Sequence, residues 1–222
     1  MRILVKLGGT LLDDEQSRRR LARELAEAQK ETPLVVVHGG GKQMTRFLAE
    51  RGVESRFIDG LRVTSPEVLD AVLKVLAGSV NHQLVASLVE FGAAAVGLSG
   101  IDACLTEAEP LSAELGAVGR PIRSNPELLT LLSVNGFLPV VACVAGDRQG
   151  RIYNVNADQM AVACAAGFGA DRLLFLTDVG GVRGADGNIL SVVTVGDGER
   201  LIRNGVATGG MRSEERRVGK EC

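Results

Sequence analysis

The stretch that decides the fold is Ile3-Leu4-Val5-Lys6-Leu7-Gly8-Gly9-Thr10, in which a short apolar run enters a glycine turn. The pattern returns as Leu34-Val35-Val36-Val37-His38-Gly39-Gly40-Gly41-Lys42. Continuous apolar runs of this kind are typical of strands in a buried parallel sheet. Glycine lets backbone N–H groups approach an anion without a Cβ in the way, and a helix that follows adds its positive N-terminal end. The two turns therefore predict a binding site for a dense negative charge.

The rest of the chain alternates between apolar runs and amphipathic segments. A third run, Ala94-Ala95-Val96-Gly97-Leu98-Ser99-Gly100, also ends in glycine. The order predicts an α/β fold with an open, mostly parallel sheet sandwiched by helices. Ligands of such sheets bind at the carboxyl ends of strands, where these glycine turns fall. Periodicity predicts strands over 2–7, 34–38, 94–100, 137–142 and 173–178, and helices over 17–29, 42–51, from 66 onward, 80–91 and 157–167.

Three local features refine this prediction. Pro139 has no N–H to donate, so its strand is predicted to begin there or to lie at an edge. Ser65 stands just ahead of Pro66 and is predicted to cap a helix. Residues 105–125 have the weakest periodicity and are predicted to form an excursion or a small hairpin.

The charge balance argues against two classes of partner. The 222 residues include 25 Lys and Arg against 27 Asp and Glu, which gives no support for binding to nucleic acid or to an anionic membrane surface. Aromatic residues make up only 3%, so stacking platforms for bases are not expected. No apolar run approaches the ~18 residues that a membrane span needs. The expected partner is a small molecule.

The four cysteines indicate neither a metal site nor a disulfide framework. No C-x-x-C spacing occurs, so no metal ligands are predicted. Cys143 and Cys164 lie in apolar runs and are predicted to be small buried hydrophobes. No secretory signal is recognised at the N-terminus, and a cytoplasmic location is expected.

Five polar residues are candidates for the chemistry. Lys6 beside its glycines would be a fixed cation for phosphate oxygens, or else a solvated lysine at the end of a strand. Arg62 could clamp a carboxylate in a planar, bidentate way, although such an arginine is often a surface residue. Asn154 and Asn156 alternate and share one face of an extended segment, and Asp158 falls in the first turn of the next helix. The alternative for these last three is a helix-capping loop.

Neither the two histidines nor the known nucleotide-binding motifs add candidates for the chemistry. His38 is predicted to be a structural hydrogen-bonding partner rather than a catalyst, and His82 a surface residue within a helix. Neither a G-x-x-x-x-G-K-[ST] loop nor a G-x-G-x-x-G fingerprint is present. A P-loop or a Rossmann dinucleotide site therefore has no support in the sequence.

Six segments, taken in order, resemble the amino acid kinase family. The resemblance runs from residue 2 to Met211 and is greatest for members that phosphorylate N-acetyl-L-glutamate. It implies an amino acid kinase-like αβα sandwich. The six segments are Lys6-Leu7-Gly8-Gly9, Val37-His38-Gly39-Gly40-Gly41, Gly60-Leu61-Arg62-Val63-Thr64, Asn154-Val155-Asn156-Ala157-Asp158-Gln159, Thr177-Asp178-Val179-Gly180-Gly181-Val182 and Gly209-Gly210-Met211.

The resemblance implies a division of labour along the chain. Residues 1–150 would be an N-terminal lobe that binds the acetylamino acid and forms a homodimer. Residues 151–211 would be an incomplete C-terminal lobe that binds ATP, with Mg²⁺ bound through the nucleotide phosphates, and residues 212–222 an atypical tail. The implied reaction moves the γ-phosphoryl of ATP to the side-chain carboxylate of N-acetyl-L-glutamate in arginine biosynthesis. That carboxylate is ionised at pH 7, so no general base is required.

The resemblance also implies roles for individual residues. Lys6 would stabilise the transition state and Asp158 would orient lysines around the phosphoryl group. The implied substrate-binding residues are Gly40, Gly41, Arg62, Asn154 and Asn156. The implied nucleotide-binding residues are Gly8, Gly9, Asp178, Val179, Gly180, Gly181, Val182, Arg183, Val206, Ala207 and Thr208.

One position departs from the family pattern. The family places a lysine three residues after the Gly-Gly-Met segment, where this chain has Glu214. A carboxylate in place of a phosphate-facing cation predicts weak kinase activity. Two alternatives to the implied function stay open, namely a kinase for N-acetyl-α-aminoadipate in lysine biosynthesis and a non-catalytic sensor of nucleotide or amino acid.

Overall fold

The computed structural model describes residues 1–177, 181 and 186–204, in which helices cover both faces of a parallel sheet. The predicted α/β sandwich is confirmed. The strands are β1 (Ile3–Leu7), β2 (Leu34–His38), β3 (Phe57–Ile58), β4 (Leu61–Arg62), β5 (Ala94–Ser99), β6 (Thr106–Pro110), β7 (Val118–Ser124), β8 (Phe137–Ala142), β9 (Val144–Gly146), β10 (Ile152–Val155) and β11 (Arg172–Leu176). The α-helices are α1 (Glu15–Glu31), α2 (Gly41–Ala49), α3 (Pro66–Val72), α4 (Asn81–Glu90), α5 (Pro126–Val134), α6 (Ala157–Phe168) and α7 (Val195–Arg203).

Five parallel strands form the main sheet in the order β11–β1–β2–β8–β5. Successive residues of a strand point to opposite faces, so the apolar runs of β1 and β2 supply two cores at once. Leu4 and Val35 pack on one face with α5 and α6. Val5 and Val36 pack on the other face with α1 to α4. This two-sided burial explains why these strands read as continuous apolar runs rather than alternating ones.

A small closed barrel of β10, β7, β6 and β9 lies beside the sheet. Its β6 and β7 pair antiparallel, so the hairpin predicted within 105–125 is confirmed. The predicted lobe boundary at 150/151 falls between β9 and β10, which pair with each other. The division of the chain into two functional lobes stays a prediction.

The helices at 66 and 80–91 are one continuous helix, Pro66–Glu90. Ser65 caps it as predicted, because its side chain accepts a hydrogen bond from the Val68 N–H at 3.3 Å. A π-helical stretch, Leu73–Val80, joins α3 to α4 and carries the chain past Gly78 without a break. Such stretches are frequent at functional sites.

By length and composition the same helix is long and apolar enough to cross a membrane, which the expectation that no apolar run approaches a membrane span did not foresee. Core helices of globular proteins meet these criteria too. Here Val72, Val75, Leu76, Leu84 and Leu88 are buried in the core against the sheet. Packing against the sheet therefore accounts for its apolar character.

The prediction that Pro139 begins a strand or marks an edge needs correction. Its strand β8 begins at Phe137 and is central, paired with β2 on one side and β5 on the other. The pairing with β2 begins only at Val140. Pro139 therefore lies ahead of the ladder with β2, whereas in the ladder with β5 it is paired with Val96.

The turn after β5 contains a backbone conformation that an L-residue adopts at a cost. Ala103 has φ 49° and ψ 31°, in the left-handed region. We expect Ala103→Gly to raise the free energy of unfolding by about 0.5–1 kcal/mol, because relief of the Cβ clash exceeds the entropy lost by glycine. Urea denaturation measures the change.

The matched control is Ala49→Gly, at the exposed end of α2. The same substitution in regular helical backbone should lower the free energy of unfolding by about 0.5–1 kcal/mol. Equal destabilisation by the two substitutions would contradict the strain argument.

Candidate active site

A cleft of about 270 Å³ opens at the carboxyl ends of β1, β2 and β8. This is the edge of an open α/β sheet at which ligands bind. The glycine turns after β1 and β2 meet there: a Cβ on Gly9 would lie 2.9 Å from both the Gly40 Cα and the Gly41 N. The turns can touch only because neither carries a side chain at the contact. The lining includes eight of the predicted site residues, Lys6, Gly9, Gly40, Gly41, Arg62, Asn154, Asn156 and Asp158.

The helix that follows the second turn presents its N-terminus to the cleft. α2 begins at Gly41, and among the described residues no side chain caps it at Gly40. The first N–H groups of a helix have no intrahelical acceptor, so they are available to an anion. Gly8 differs, since its N–H donates to the Leu176 carbonyl at 2.9 Å. Donation from Gly8 to a phosphate would require that bond to break.

Lys6 and Asp158 form an ion pair within the cleft. The Lys6 Nζ lies 2.7 Å from the Asp158 Oδ1, and each side chain is 15% exposed. β1 carries the lysine, and α6 carries the aspartate in its first turn, where the helix dipole favours a negative charge. The partly buried pair holds the ammonium group in one place beside the glycine turns.

The two asparagines of the predicted cluster have different contacts. The Asn156 Oδ1 accepts hydrogen bonds from the N–H groups of Asp158 and Gln159, at 3.0 and 3.2 Å. Asn156 is therefore the N-cap of α6, which was the structural alternative for this segment. The Asn154 Nδ2 donates to the Thr64 Oγ1 at 3.0 Å. Thr64 is fully buried, so Asn154 is anchored to the strand end beyond Arg62.

Arg62 is held by neighbours that the sequence did not reveal. Its Nη2 donates to the Thr45 Oγ1 at 2.8 Å and to the Gly41 carbonyl at 3.2 Å, and its Nη1 donates to Ser55. The guanidinium carbon lies 4.7 Å from the centre of the Phe57 ring. Burial lowers the pKa of Arg62 from its ordinary value. The guanidinium group is thus fixed beside the glycine turn.

His38 is buried beneath the same turn. The Asn81 Nδ2 lies 3.0 Å from the His38 Nε2 and donates to the Val140 carbonyl at 2.9 Å. The His38 Nδ1 lies 3.0 Å from the Gly39 carbonyl oxygen. Burial lowers the pKa of His38 to about 4, so the ring is neutral near pH 7. The prediction of a structural hydrogen-bonding role agrees with these contacts.

The structure also describes His82, Cys143 and Cys164, but only one of the predicted nucleotide residues after Thr177. His82 is exposed, as predicted, and Cys143 and Cys164 are buried, as predicted. Cys143 also lines the cleft, where its Sγ donates to the His38 carbonyl at 2.7 Å, and burial raises the pKa of its thiol. Gly181, a predicted nucleotide-binding residue, lies among the described residues but not in the lining of the cleft. The predicted nucleotide residues 178–180, 182–183 and 206–208, like Glu214 and the tail 212–222, lie outside the described residues.

The sequence offered weak signals for the residues it missed. Thr45 stands four residues after Gly41 on the same helical face, and its Oγ1 donates to the Gly41 carbonyl at 3.0 Å. Ser55 lies seven residues before Arg62, and Asn81 meets His38 from 43 residues away along the chain; nothing in the local sequence marks either residue. In the part of the chain that the structure describes, no three His, Cys, Asp or Glu side chains come together as a metal site.

Comparison with known proteins gives one family. A model described as the amino acid kinase family matches residues 1–216. The chain is 62% identical over 215 residues to the acetylglutamate kinase of Solibacter usitatus (strain Ellin6076), which is 96% of this chain and 84% of that protein. It is 46% identical over 214 residues to the acetylglutamate kinase of Acidobacterium capsulatum, which is 95% of this chain and 82% of that protein.

A solved structure agrees with the fold. The crystal structure of a protein from Streptococcus mutans UA159 superposes with a TM-score of 0.84 at 28% identity. The match covers 96% of this chain and 87% of that one. The layered sheet and its cleft therefore belong to a fold already seen in crystals.

The buried neutral His38 predicts a pH-dependent stability. Its folded-state pKa of about 4 lies below its ordinary 6.5, so the unfolded chain binds a proton more readily as the pH falls. We expect the free energy of unfolding to fall by about 2 kcal/mol between pH 7 and pH 5. Urea denaturation at several pH values measures it.

The comparison variants are His38→Gln and His82→Gln. His38→Gln should flatten the pH dependence between pH 7 and 5 whatever its absolute stability, because histidine is the side chain that ordinarily titrates there. His82→Gln, at an exposed position, should leave the slope unchanged. A slope that survives in His38→Gln would contradict the prediction.

Proposed function

This chain belongs to the amino acid kinase family, and from that premise we propose that it transfers the γ-phosphoryl group of ATP to the side-chain carboxylate of N-acetyl-L-glutamate. The product is the acyl phosphate N-acetylglutamyl 5-phosphate, an intermediate of arginine biosynthesis. The observation that carries the proposal is the cleft in which Lys6, Asp158, Arg62 and Asn154 meet the glycine turns after β1 and β2. The identity of 62% to a protein named acetylglutamate kinase supports the choice of acceptor.

The reaction requires two anions to approach each other. A glutamate side chain with a pKa near ~4.3 is ionised at pH 7, so it attacks the phosphoryl group without a general base. The obstacle is repulsion between the carboxylate and the polyphosphate. Phosphoryl transfer is catalysed mainly by positioning and by electrostatic stabilisation, which suits a cleft with a fixed lysine and oriented N–H groups.

Lys6 and Asp158 supply the catalytic charge in this proposal. The lysine, held at 2.7 Å from the aspartate, neutralises charge that builds up on the transferring phosphoryl oxygens. Asp158 keeps the ammonium group in place and takes no proton from the acceptor. Mg²⁺ bound to the phosphates of ATP would offset part of their charge, and no side chain of the described residues is assigned to it. The proposed nucleotide contacts beyond Thr177 lie outside the described residues.

Arg62 and the second glycine turn hold the acceptor in this proposal. The guanidinium group offers planar paired donors to the α-carboxylate of the substrate. The N–H groups of Gly40 and Gly41, at the N-terminus of α2, bind the carboxylate that reacts. Asn154 and Asn156 contact the remaining polar groups, with Asn156 also capping α6. The charged side chains of the lining, two cations and one anion, leave an excess positive charge for an anionic acceptor.

A reducing compartment is the proposed location. Cys104, Cys143 and Cys164 are free thiols, a state that the cytoplasm maintains. No contact with nucleic acid or with a membrane is part of the proposal.

We also propose that the protein is a homodimer that associates through the β5 edge of the sheet. In the described part of the chain, β5 pairs only with β8, and its outer side is open. Ala94 and Gly97 are exposed there, and Val89 of the adjacent helix α4 is 53% exposed. An open strand edge beside apolar surface favours pairing with another strand.

Light scattering tests the dimer. The wild-type protein should have twice the chain mass of 23.3 kDa, and Val89→Asp should raise the dimer dissociation constant at least about tenfold, since it buries a charge. Val192→Asp, a charge at another exposed apolar residue, should leave the dimer intact. A monomeric wild-type protein, or a Val89→Asp dimer of unchanged affinity, would overturn this assignment.

Parallel assays test the function. Purified protein is supplied with ATP, Mg²⁺ and either N-acetyl-L-glutamate or N-acetyl-L-α-aminoadipate, and acyl phosphate is trapped with hydroxylamine. We expect acyl phosphate from both, with kcat/KM higher for N-acetyl-L-glutamate. Discrimination between substrates that differ by one methylene is worth only ~1–3 kcal/mol. The kcat/KM for N-acetyl-L-glutamate is therefore expected to be about ten or more times that for the longer acid.

A substitution at Lys6 shows whether turnover belongs to this cleft. Lys6→Met keeps the length of the side chain and should lower kcat by about 10²–10³. Lys30→Met, on the exposed end of α1, is the matched control and should leave kcat unchanged. ATP binding without turnover in the wild-type protein would favour the sensor alternative, and preference for the longer acid would favour the lysine-pathway kinase.

A further inference from the structure

We propose that Asn81 is a positioning residue for the acceptor site: it holds His38 in the neutral form that carries its proton on Nδ1, and His38 in turn fixes the peptide that presents the Gly40 N–H. Asn81 lies on α4, outside the cleft lining, and is 2% exposed. The inference rests on the proposed function, because it assigns a role to Gly40 in binding the acceptor.

The Val140 carbonyl determines the orientation of the Asn81 amide. A carbonyl oxygen only accepts hydrogen bonds, so the atom 2.9 Å from it must be the amide nitrogen of Asn81. The same nitrogen lies 3.0 Å from the His38 Nε2 and has a second hydrogen to give. The His38 Nε2 must therefore accept, and it carries no proton.

The Gly39 carbonyl gives the same answer from the other side of the ring. It lies 3.0 Å from the His38 Nδ1 and can only accept, so Nδ1 must donate. The two carbonyls, Val140 and Gly39, thus dictate one continuous chain of hydrogen bonds. Only the neutral ring with its proton on Nδ1 satisfies both ends, and burial favours the neutral ring.

This chain of hydrogen bonds ends on the peptide that matters for binding. In a trans peptide the C=O and the next N–H point in opposite directions within one plane. A fixed Gly39 carbonyl therefore fixes the direction of the Gly40 N–H. Two further bonds hold the segment: the Gly39 N–H donates to Leu7 at 3.1 Å, and the Cys143 Sγ donates to the His38 carbonyl.

A glycine on the edge strand leaves room for this arrangement. A Cβ on Gly97 would lie 2.2 Å from the Asn81 Oδ1. The side chain of Asn81 consequently fills the space over β5 that a larger residue would occupy. The chain of hydrogen bonds that positions the Gly40 N–H therefore extends from the edge of the sheet to the cleft.

The first test reads the state of His38 directly. The chain has two histidines, so ¹⁵N spectra contain two imidazole rings, and His82→Gln assigns them. In the wild-type protein near pH 7 the His38 Nε2 should give the downfield signal of an unprotonated nitrogen and Nδ1 that of a protonated one. The opposite pattern would overturn the proposal.

The second test changes Asn81 without changing its shape. Asn81→Asp replaces both donor hydrogens with an acceptor, so the proton of the His38 ring should move from Nδ1 to Nε2. The Gly39 carbonyl should then lose its donor, and the Gly40 amide signal should move. The KM for N-acetyl-L-glutamate should rise at least about tenfold, with the KM for ATP within about twofold. A loss of general structural integrity would affect both substrates alike. Equal changes in the two KM values, or none, would overturn the positioning role.

Two further variants guard the interpretation. Asn81→Ala removes the same donors without adding a charge and should reproduce the change at Gly40 if Asn81→Asp does not fold. Gln83→Leu, at an exposed site on the same helix, should change neither the spectra nor the KM values. If the wild-type protein shows no turnover, the proposed function fails. The imidazole and Gly40 signals still test the chain of hydrogen bonds on their own, because an unmoved Gly40 signal in the Asn81 variants overturns it.

Discussion

The contact between the glycine turns after β1 and β2 is the constraint on which the rest of the site depends. Two adjacent parallel strands end side by side, and the chain must leave both of them in the same small space. A Cβ on Gly9 would lie 2.9 Å from the Gly40 Cα, and one on Gly40 would lie 2.5 Å from the Leu76 Cδ2. A side chain on Gly9 would push the turn after β1 away from the start of α2, and one on Gly40 would displace the Leu76 side chain of the π-helical stretch. The cleft therefore depends on the absence of side chains at these two turns.

Charged side chains lie at the surface of the cleft, and neutral polar side chains lie in the layer beneath it. At the cleft surface, Lys6 and Asp158 form a partly exposed ion pair, and Arg62 is held by hydroxyl groups and an aromatic ring. One layer beneath, His38 and Asn81 are fully desolvated and uncharged. A buried polar network is stable only when each donor and acceptor is paired, and this one is paired at both ends by main-chain carbonyls. Neutral buried hydrogen bonds can fix the backbone without opposing the charges above them.

Local patterns in the sequence were enough for the layers of the fold and for much of the cleft. Strand, turn and helix signals lie within a few residues of each other, so the parallel sheet, the Ser65 cap and the glycine turns could be predicted. Asn81 and His38 are 43 residues apart and meet only after the sheet has assembled. The unbroken helix through Gly78 was missed for a related reason, because packing on the sheet outweighs the helix-breaking tendency of one glycine.

The Lys6–Asp158 pair illustrates why residue types alone do not specify a mechanism. A lone lysine beside a polyphosphate would bind the ground state and the transition state almost equally, which strengthens binding without speeding the reaction. Pairing with Asp158 fixes the direction of the ammonium group, and under the proposed function it would reduce the net charge offered to the resting nucleotide. Under the same proposal, stabilisation would be greatest where a phosphoryl group in transit reaches that one position. Geometry of this kind depends on β1 meeting the first turn of α6, and it arises from the order of elements in the fold rather than from either residue by itself.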